Sequence, residues 1–438
     1  MLDIKFIREH ADIVKRAAEQ KNVVVDIDRL IELDDERIAL QQKMDMLRAE
    51  QNETGKVIAG LSNKEKQSAI AEMSQTKEML QGMEEIERTT LEEWNELMYQ
   101  VPNVPSVDTP VGKDESENVV IRQIGEVPEF DFELQSHWDI AEGLDILDTA
   151  RAVKISGSRF VYLKGDLVLL QFALVQYVMS TLADRRVIKK IISEKNLDIP
   201  DTPFTPILPP MLVRRETMDR MGRAQPEDDR YVTTLDDMFM VGSAEHSIGP
   251  MYMDETLAED QFPIRYIGYS TSFRREAGTY GKDTQGLIRQ HQFDKLEMEI
   301  FSTPETGMQE QELIVGLQEY IVGSLGIAYQ VVHICTGDMG KPDYRQIDIE
   351  SWMPSQEKYR ETHTSDYMTT FQSRRLQVFV KRADGKRDLV HMNDATACAI
   401  GRMLAVLIEN YQNPDGSITI PEVLRAYMGG REHITTLK

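Results

Sequence analysis

The sequence predicts an α+β protein: an N-terminal antiparallel helical coiled-coil arm, then a larger domain on a mostly antiparallel sheet. Three observations predict it. Leu33, Leu40 and Leu47 recur every seven residues in a stretch almost free of helix breakers. YSTSF at 269–273 and LEMEI at 296–300 alternate apolar and polar residues on either side of a Gly-rich charged loop, the pattern of an antiparallel strand–loop–strand unit. The remaining strand-like runs do not alternate regularly with helices, as a parallel βαβ sheet would require.

In chain order, Ile4, Ile7, Ala11, Val14 and Ala17 have helical spacing, which predicts one short amphipathic helix over 3–20. A long helix follows from Asp28 to about Gly55. After a break around Gly60, a second runs from about Lys64 to Gln100. Its seam includes Ile70, Met73, Leu80, Met83, Leu91, Trp94 and Met98. Two long helices and a short loop make a hairpin over about 28–100. The Pro-rich, then acidic stretch VPNVPSVDTPVGKDESEN at 101–118 is a linker, which divides the chain into 1–104 and 105–438.

Beyond it, strands are expected at 160–163, 202–213, 238–241, 329–333, 346–350 and 376–380, with helices at 309–325 and 397–409. The prolines of TPFTPILPPMLV confine that strand to an edge or an interface.

At 438 residues the chain has room for two or three domains. Its net charge of −24 argues against nucleic-acid binding through bulk charge, so any such contact must use local basic patches. Two cysteines far apart exclude a disulfide framework and a cysteine-based zinc cluster, and they fit a reducing cytoplasm. No segment approaches the roughly 20 apolar residues of a membrane span.

Five places could carry chemistry. In the central loop, Arg274, Arg275, Lys282 and Arg289 stand beside Glu276 and Asp283. Glycines at 278, 281 and 286 let the backbone approach a ligand, and guanidinium grips phosphate in a bidentate manner. A solvated hairpin loop would show the same composition. Ser243, Ala244 and Glu245 follow a strand end and suit capture of an amino group, or a helix cap. Glu297 and Glu299 share one strand face. Glu361 with Thr364 offers oxygen ligands to Mg²⁺, or forms a polar surface loop. Arg402, among the small residues of 394–401, would be costly to bury unpaired and should meet an anion. His291 is placed to support the loop.

Laid end to end, these segments resemble the bacterial-type seryl-tRNA synthetases, class II aminoacyl-tRNA synthetases. The resemblance runs from MLDIKFIREH to SITIPEVLRAYMGG. FRREAGTYGKDTQGLIRQHQFDK and AIGRMLAVLIENYQNPDGS are similar to the second and third class II signature motifs, and LPPMLV to the first, which builds the dimer interface in that family.

The resemblance implies a homodimeric serine–tRNA ligase that uses ATP and Mg²⁺ to load serine onto tRNA(Ser), and onto tRNA(Sec). It places Ser243, Ala244, Glu245, Arg274, Glu297 and Thr396 on serine. It places Arg274, Arg275, Glu276, Arg402 and the 361–364 segment (Glu361, Thr362, His363, Thr364) on ATP, with Glu361 and Thr364 on the metal. Arg274 and Arg402 are the catalytic cations. The arm would grip tRNA through Arg37, Lys43, Arg48 and Lys56.

This chain departs from the family pattern at several points. ETHTSDY at 361–367 replaces Glu-x-Ser-Ser-Cys-Ser-Asn, Asp394-Ala395 replaces Asn-Gly, Gln285 stands where Arg is common, and 187–205 is longer. An amino acid:carrier-protein ligase and a non-enzymatic paralogue are the alternatives. The arm and the retained Arg274, Glu297 and Arg402 weigh against them.

Overall fold

A computed structural model describes residues 1–277 and 286–436. The expectations for Gly278, Gly281, Lys282, Asp283 and Gln285 lie outside the described residues. The chain forms two compact units, Met1–Val104 and Pro105–Lys438.

In the first unit the N-terminal helix is two helices, Ile4–Glu9 and Ala11–Gln20, rather than one. His10 leaves helical backbone between them, at φ −130° and ψ 38°. The arm pairs Ile27–Val57 with Asn63–Gln100. Asp26 caps the first helix by accepting from the Arg29 N–H, and Ser62 with Glu65 forms a capping box on the second. The second helix has 38 residues, which at about 1.5 Å each makes it roughly 57 Å long. Leu30, Leu33, Met44, Leu80 and Met98 are buried along the seam, whereas Ile70 is exposed. Arg29–Glu93 and Arg48–Glu84 tie the helices together at 3.0 Å each.

The second unit is built on an eight-stranded sheet. Its strands are β1 (Val119–Ile124), β2 (Thr205–Ile207), β3 (Ile264–Phe273), β4 (Gln292–Ser302), β5 (Tyr329–His333), β6 (Arg345–Met353), β7 (Lys358–Thr369) and β8 (His391–Ala399). Their spatial order is β1-β5-β6-β7-β8-β4-β3-β2. Every neighbouring pair is antiparallel except β2 with β3. β3 and β4 form the expected strand–loop–strand unit, with Phe273 opposite Gln292.

Helix Gly307–Ser324 packs against β4, β7 and β8. Its Gln318 side chain donates to the carbonyls of Thr364 and Thr396, at 2.7 and 2.8 Å. Behind the sheet, Arg265 and Glu310 form a fully buried bidentate pair, both contacts at 2.8 Å.

Four expectations change. The 202–213 strand splits, because Pro209 and Pro210 lack N–H donors: Thr205–Ile207 takes the sheet edge and Leu212–Arg214 pairs with Met238–Met240. The 376–380 strand is shorter: helix Phe371–Leu376 ends at Gln377, at φ +57°, and strand Phe379–Lys381 begins after it. The 397–409 helix begins at Ile400, since 397–399 complete β8. Residues 361–364 lie within a strand, β7, and not in a loop. The long 187–205 connection carries most of helix Arg185–Glu194, whose Ile188 and Ile191 are buried. From residue 105 the linker is pinned: Ser106 N–H donates to Tyr344 and the Thr336 N–H to Pro110.

Candidate active site

β7, β8 and β4 set the site residues on two rungs of one sheet face, separated by the Ala395–Met298 rung. In one rung Asp366 faces Asp394, and Asp394 faces Glu299. In the other, Glu297 faces Thr396, whose hydroxyl oxygen lies 3.1 Å from that of Thr364. Gly268 on β3 completes this rung opposite Glu297. A Cβ there would come within 2.4 Å of Ile248 and 3.1 Å of Ala244, so the glycine admits the turn that carries Ser243 and Glu245.

Two cavities share this floor. One, of about 270 Å³, is lined by Arg223, Glu245, Glu297, Asp366 and Asp394 among others. The other, of about 110 Å³, is lined by Glu276, Arg289, Phe293, Glu361 and Arg402 among others. Arg274, Lys295 and Thr364 line both. An acidic compartment therefore adjoins one walled by arginines, and Arg274 stands where they meet.

Hydrogen bonds hold the arginines in place. Arg274 donates to the Gly242 carbonyl at 3.1 Å, with its guanidinium 5.4 Å from the centre of the Phe293 ring. Arg402 donates to the carboxylate of Glu361 at 2.7 Å, which holds that carboxyl below its ordinary range despite burial. Glu276 pairs with Arg289 at 2.7 Å. His291 supports the loop as expected, meeting the Arg274 carbonyl at 3.0 Å.

In the acidic cavity, Glu245 accepts from Arg223 at 2.7 Å and from Gln372 at 2.9 Å. Burial opposes its ionisation, but the Arg223 charge prevails and its pKa is lowered. Burial raises Glu297, and Lys295 beside it only partly opposes the shift. Glu299 and Asp394 are raised well above the usual carboxylate range, first by burial and then by the neighbouring carboxylates. Burial also pushes His246 down to about 3.

Not every expected residue reaches the site. Ala244 packs into the core. Arg275 is exposed, with its guanidinium 5.2 Å from the centre of the Tyr231 ring. Thr362 turns inward to Ser351 at 2.9 Å, and His363 is buried beside it, bonded to the Thr362 hydroxyl at 2.9 Å. Ser243 is buried and lines neither cavity, its hydroxyl 3.5 Å from the Lys295 ammonium.

The structure adds residues that sequence reasoning missed. Arg223 and Lys295 supply cations to the acidic cavity. His137 and Glu409 position the other: the Leu287 N–H donates to His137 Nε2 at 3.2 Å, and His137 Nδ1 donates to Glu409 at 2.8 Å. Gly286, at φ +80°, leaves room for this, because a Cβ would fall 2.1 Å from His137 Nε2. Gly286 and the departures at Asp366 and Asp394 are the signals the sequence carries for this arrangement. No cluster of three or more His, Cys, Asp or Glu among the described residues could hold a metal on its own. Glu361 and Thr364 offer one carboxylate and one hydroxyl, a set that fits Mg²⁺ held mainly by substrate phosphates and water.

Comparison with known proteins gives the family. Residues 1–105 match the seryl-tRNA synthetase N-terminal domain, and residues 233–411 match the tRNA synthetase class II core domain (G, H, P, S and T). The chain is 40% identical to a serine–tRNA ligase of Exiguobacterium sibiricum, over 99% of this chain and all of the relative. It is 38% identical to that of Symbiobacterium thermophilum, over 98% of each. Among solved structures it resembles seryl-tRNA synthetase from Pyrococcus horikoshii complexed with ATP, at a TM-score of 0.87 and 32% identity over the whole of both chains. The chain belongs to the seryl-tRNA synthetase family of class II aminoacyl-tRNA ligases.

Proposed function

We propose that this protein activates L-serine with ATP and transfers it to tRNA(Ser), and to tRNA(Sec). The observation that carries the reading is the junction at Arg274 between an acidic cavity and an arginine-walled one. An amino acid held by its ammonium on the acidic side presents its carboxylate to a phosphate held on the other. The carboxylate oxygen attacks the α-phosphorus and pyrophosphate leaves, giving seryl-adenylate. A 3′-terminal ribose hydroxyl of the tRNA then attacks the acyl carbon and AMP leaves.

Both steps need positioning and charge neutralisation more than a dedicated base. Arg274 faces the α-phosphate and Arg402 the γ-phosphate. Glu245 and Glu297 hold the serine, with the Thr396 and Thr364 hydroxyls beside them. Glu361 and Thr364 would hold Mg²⁺, which neutralises phosphate charge when bound.

Leu169, Phe172, Leu208, Met211 and Leu212 are large apolar side chains left exposed, which supports a homodimer that covers them. No single helix among the described residues is long and apolar enough to cross a membrane, which accords with a cytoplasmic ligase. The helical hairpin is read as the tRNA-binding arm and 105–438 as the catalytic domain.

Amino-acid-dependent ATP–pyrophosphate exchange, run with each standard amino acid, tests the reading. Serine-dependent exchange that Arg274→Ala abolishes is expected. Exchange with a different standard amino acid alone would change the substrate. No exchange with any, by folded protein, would favour the non-enzymatic paralogue. Exchange without transfer to tRNA would favour the carrier-protein ligase.

A further inference from the structure

The acidic cavity holds more carboxyl groups than serine can use. Asp366, Asp394 and Glu299 stand directly opposite one another across three strands. Ionised together, such a row would destabilise the sheet. Glu245 and Glu297 adjoin them. Of the cations that line the cavity, Arg223 pairs with Glu245 and approaches Asp394 at 3.7 Å, Arg230 pairs with Asp229 and Lys295 with Glu297, while Arg274 stands at the junction with the second cavity.

Asp394 is only 3% exposed and lines the cavity, yet its Oδ1 has no hydrogen-bond partner. Glu299 behind it is 0% exposed with neither carboxylate oxygen partnered. Buried carboxylate oxygens left unpaired are costly, and a ligand that supplies donors and positive charge removes the cost. A hydroxyl brings one donor and no charge, whereas an ammonium brings three donors and a full charge. Asp366 and Asp394 are also two of the positions at which this chain departs from the family pattern.

We propose that this pocket takes, besides serine, an α-amino acid whose short side chain ends in an amine, seating the second ammonium against Asp394 and Asp366. The amine analogue of serine, L-2,3-diaminopropionate, is the smallest such substrate. The inference rests on the reading of the acidic cavity as the amino-acid side. The chemistry is unchanged: the diamino acid's carboxylate oxygen bonds to the α-phosphorus as the bond to pyrophosphate breaks, and the side-chain ammonium keeps its protons.

The test is ATP–pyrophosphate exchange with the full-length protein and, in separate reactions, L-serine, L-2,3-diaminopropionate, L-2,4-diaminobutyrate and L-alanine. Exchange with diaminopropionate is expected at a kcat/KM at least tenfold above alanine. Asp394→Asn is expected to shift the serine-to-diaminopropionate ratio toward serine by at least tenfold. Diaminopropionate no better than alanine, with serine active, overturns the inference and leaves the proposed reaction standing. Exchange with none of the amino acids overturns both. Diaminopropionate exchange whose ratio to serine is unmoved by Asp394→Asn places the second ammonium elsewhere and overturns the seat. The wild-type comparison decides the substrate class even if the variant does not fold.

Discussion

The arm and the sheet both abound in charge, and they treat it in opposite ways. In the arm, acids and bases pair at the surface: Arg88 lies between Glu85 and Glu92, and Arg48 reaches Glu84. Such pairs are solvated and each adds little. In the sheet, Glu297, Glu299 and Asp394 are buried: Lys295 pairs with Glu297, Arg223 only approaches Asp394 at 3.7 Å, and Glu299 has no cation within salt-bridge distance among the described residues. A fold keeps charge where it is costly when the charge has a task, so the contrast separates scaffold from site.

The largest expected effect comes from breaking a buried pair. Arg265→Met leaves Glu310 unpaired where both side chains are wholly buried. It should destabilise the catalytic unit by about 3–5 kcal/mol. Calorimetry should show a lowered Tm, with much of the loss recovered in Arg265→Met combined with Glu310→Leu. If the single and double variants melt alike, the cost is lost packing and not an uncompensated charge.

Next comes Arg402→Ala, which removes one of the cations lining the arginine-walled cavity and frees Glu361. Exchange kcat should fall by about 100- to 1,000-fold, the usual loss for one electrostatic stabiliser of a transition state. An unchanged kcat with only a raised KM for ATP would make Arg402 a ground-state binder.

A smaller effect follows from Gly286→Ala. The new methyl would meet His137 at 2.1 Å in a left-handed backbone region. Shifting residues 287–290 should raise the KM for ATP about tenfold and leave the KM for serine nearly unchanged, since these residues line the arginine-walled cavity and not the acidic one. Equal changes in both constants would mean that the whole sheet has moved.

Legibility in the sequence follows the same division. The arm could be read almost to its ends, because a seven-residue repeat is a local pattern. β3 and β4 could be read for the same reason, from period-two alternation. β7 is not legible as a strand, and its 361–364 stretch suits a polar surface loop equally well, because the run KYRETHTSDYMT is polar on the face that lines the site and a strand buried for function does not look apolar. Arg223 was invisible: its place beside Glu245 arises from chain segments that meet only in the fold. The departures at Asp366 and Asp394 were visible as substitutions, but their meaning lay in cross-strand register, which puts them opposite each other and opposite Glu299.

The smallest expected effect lies in the arm and sharpens the comparison from its other side. Arg37, Arg48 and Lys56, three of the basic residues expected to meet tRNA phosphates, are each engaged by a carboxylate of the arm itself. A phosphate must compete with that carboxylate, so each contact should contribute little and depend strongly on salt. Arg48→Ala should therefore leave serine-dependent exchange unchanged and shift Tm by no more than about 1–2 °C. The KM for tRNA in aminoacylation should rise only about two- to fivefold, with a shallower dependence on salt concentration than the parent protein. An equal loss in exchange would tie Arg48 to the catalytic unit, and an unaltered salt slope would mean that the arm meets RNA through other residues.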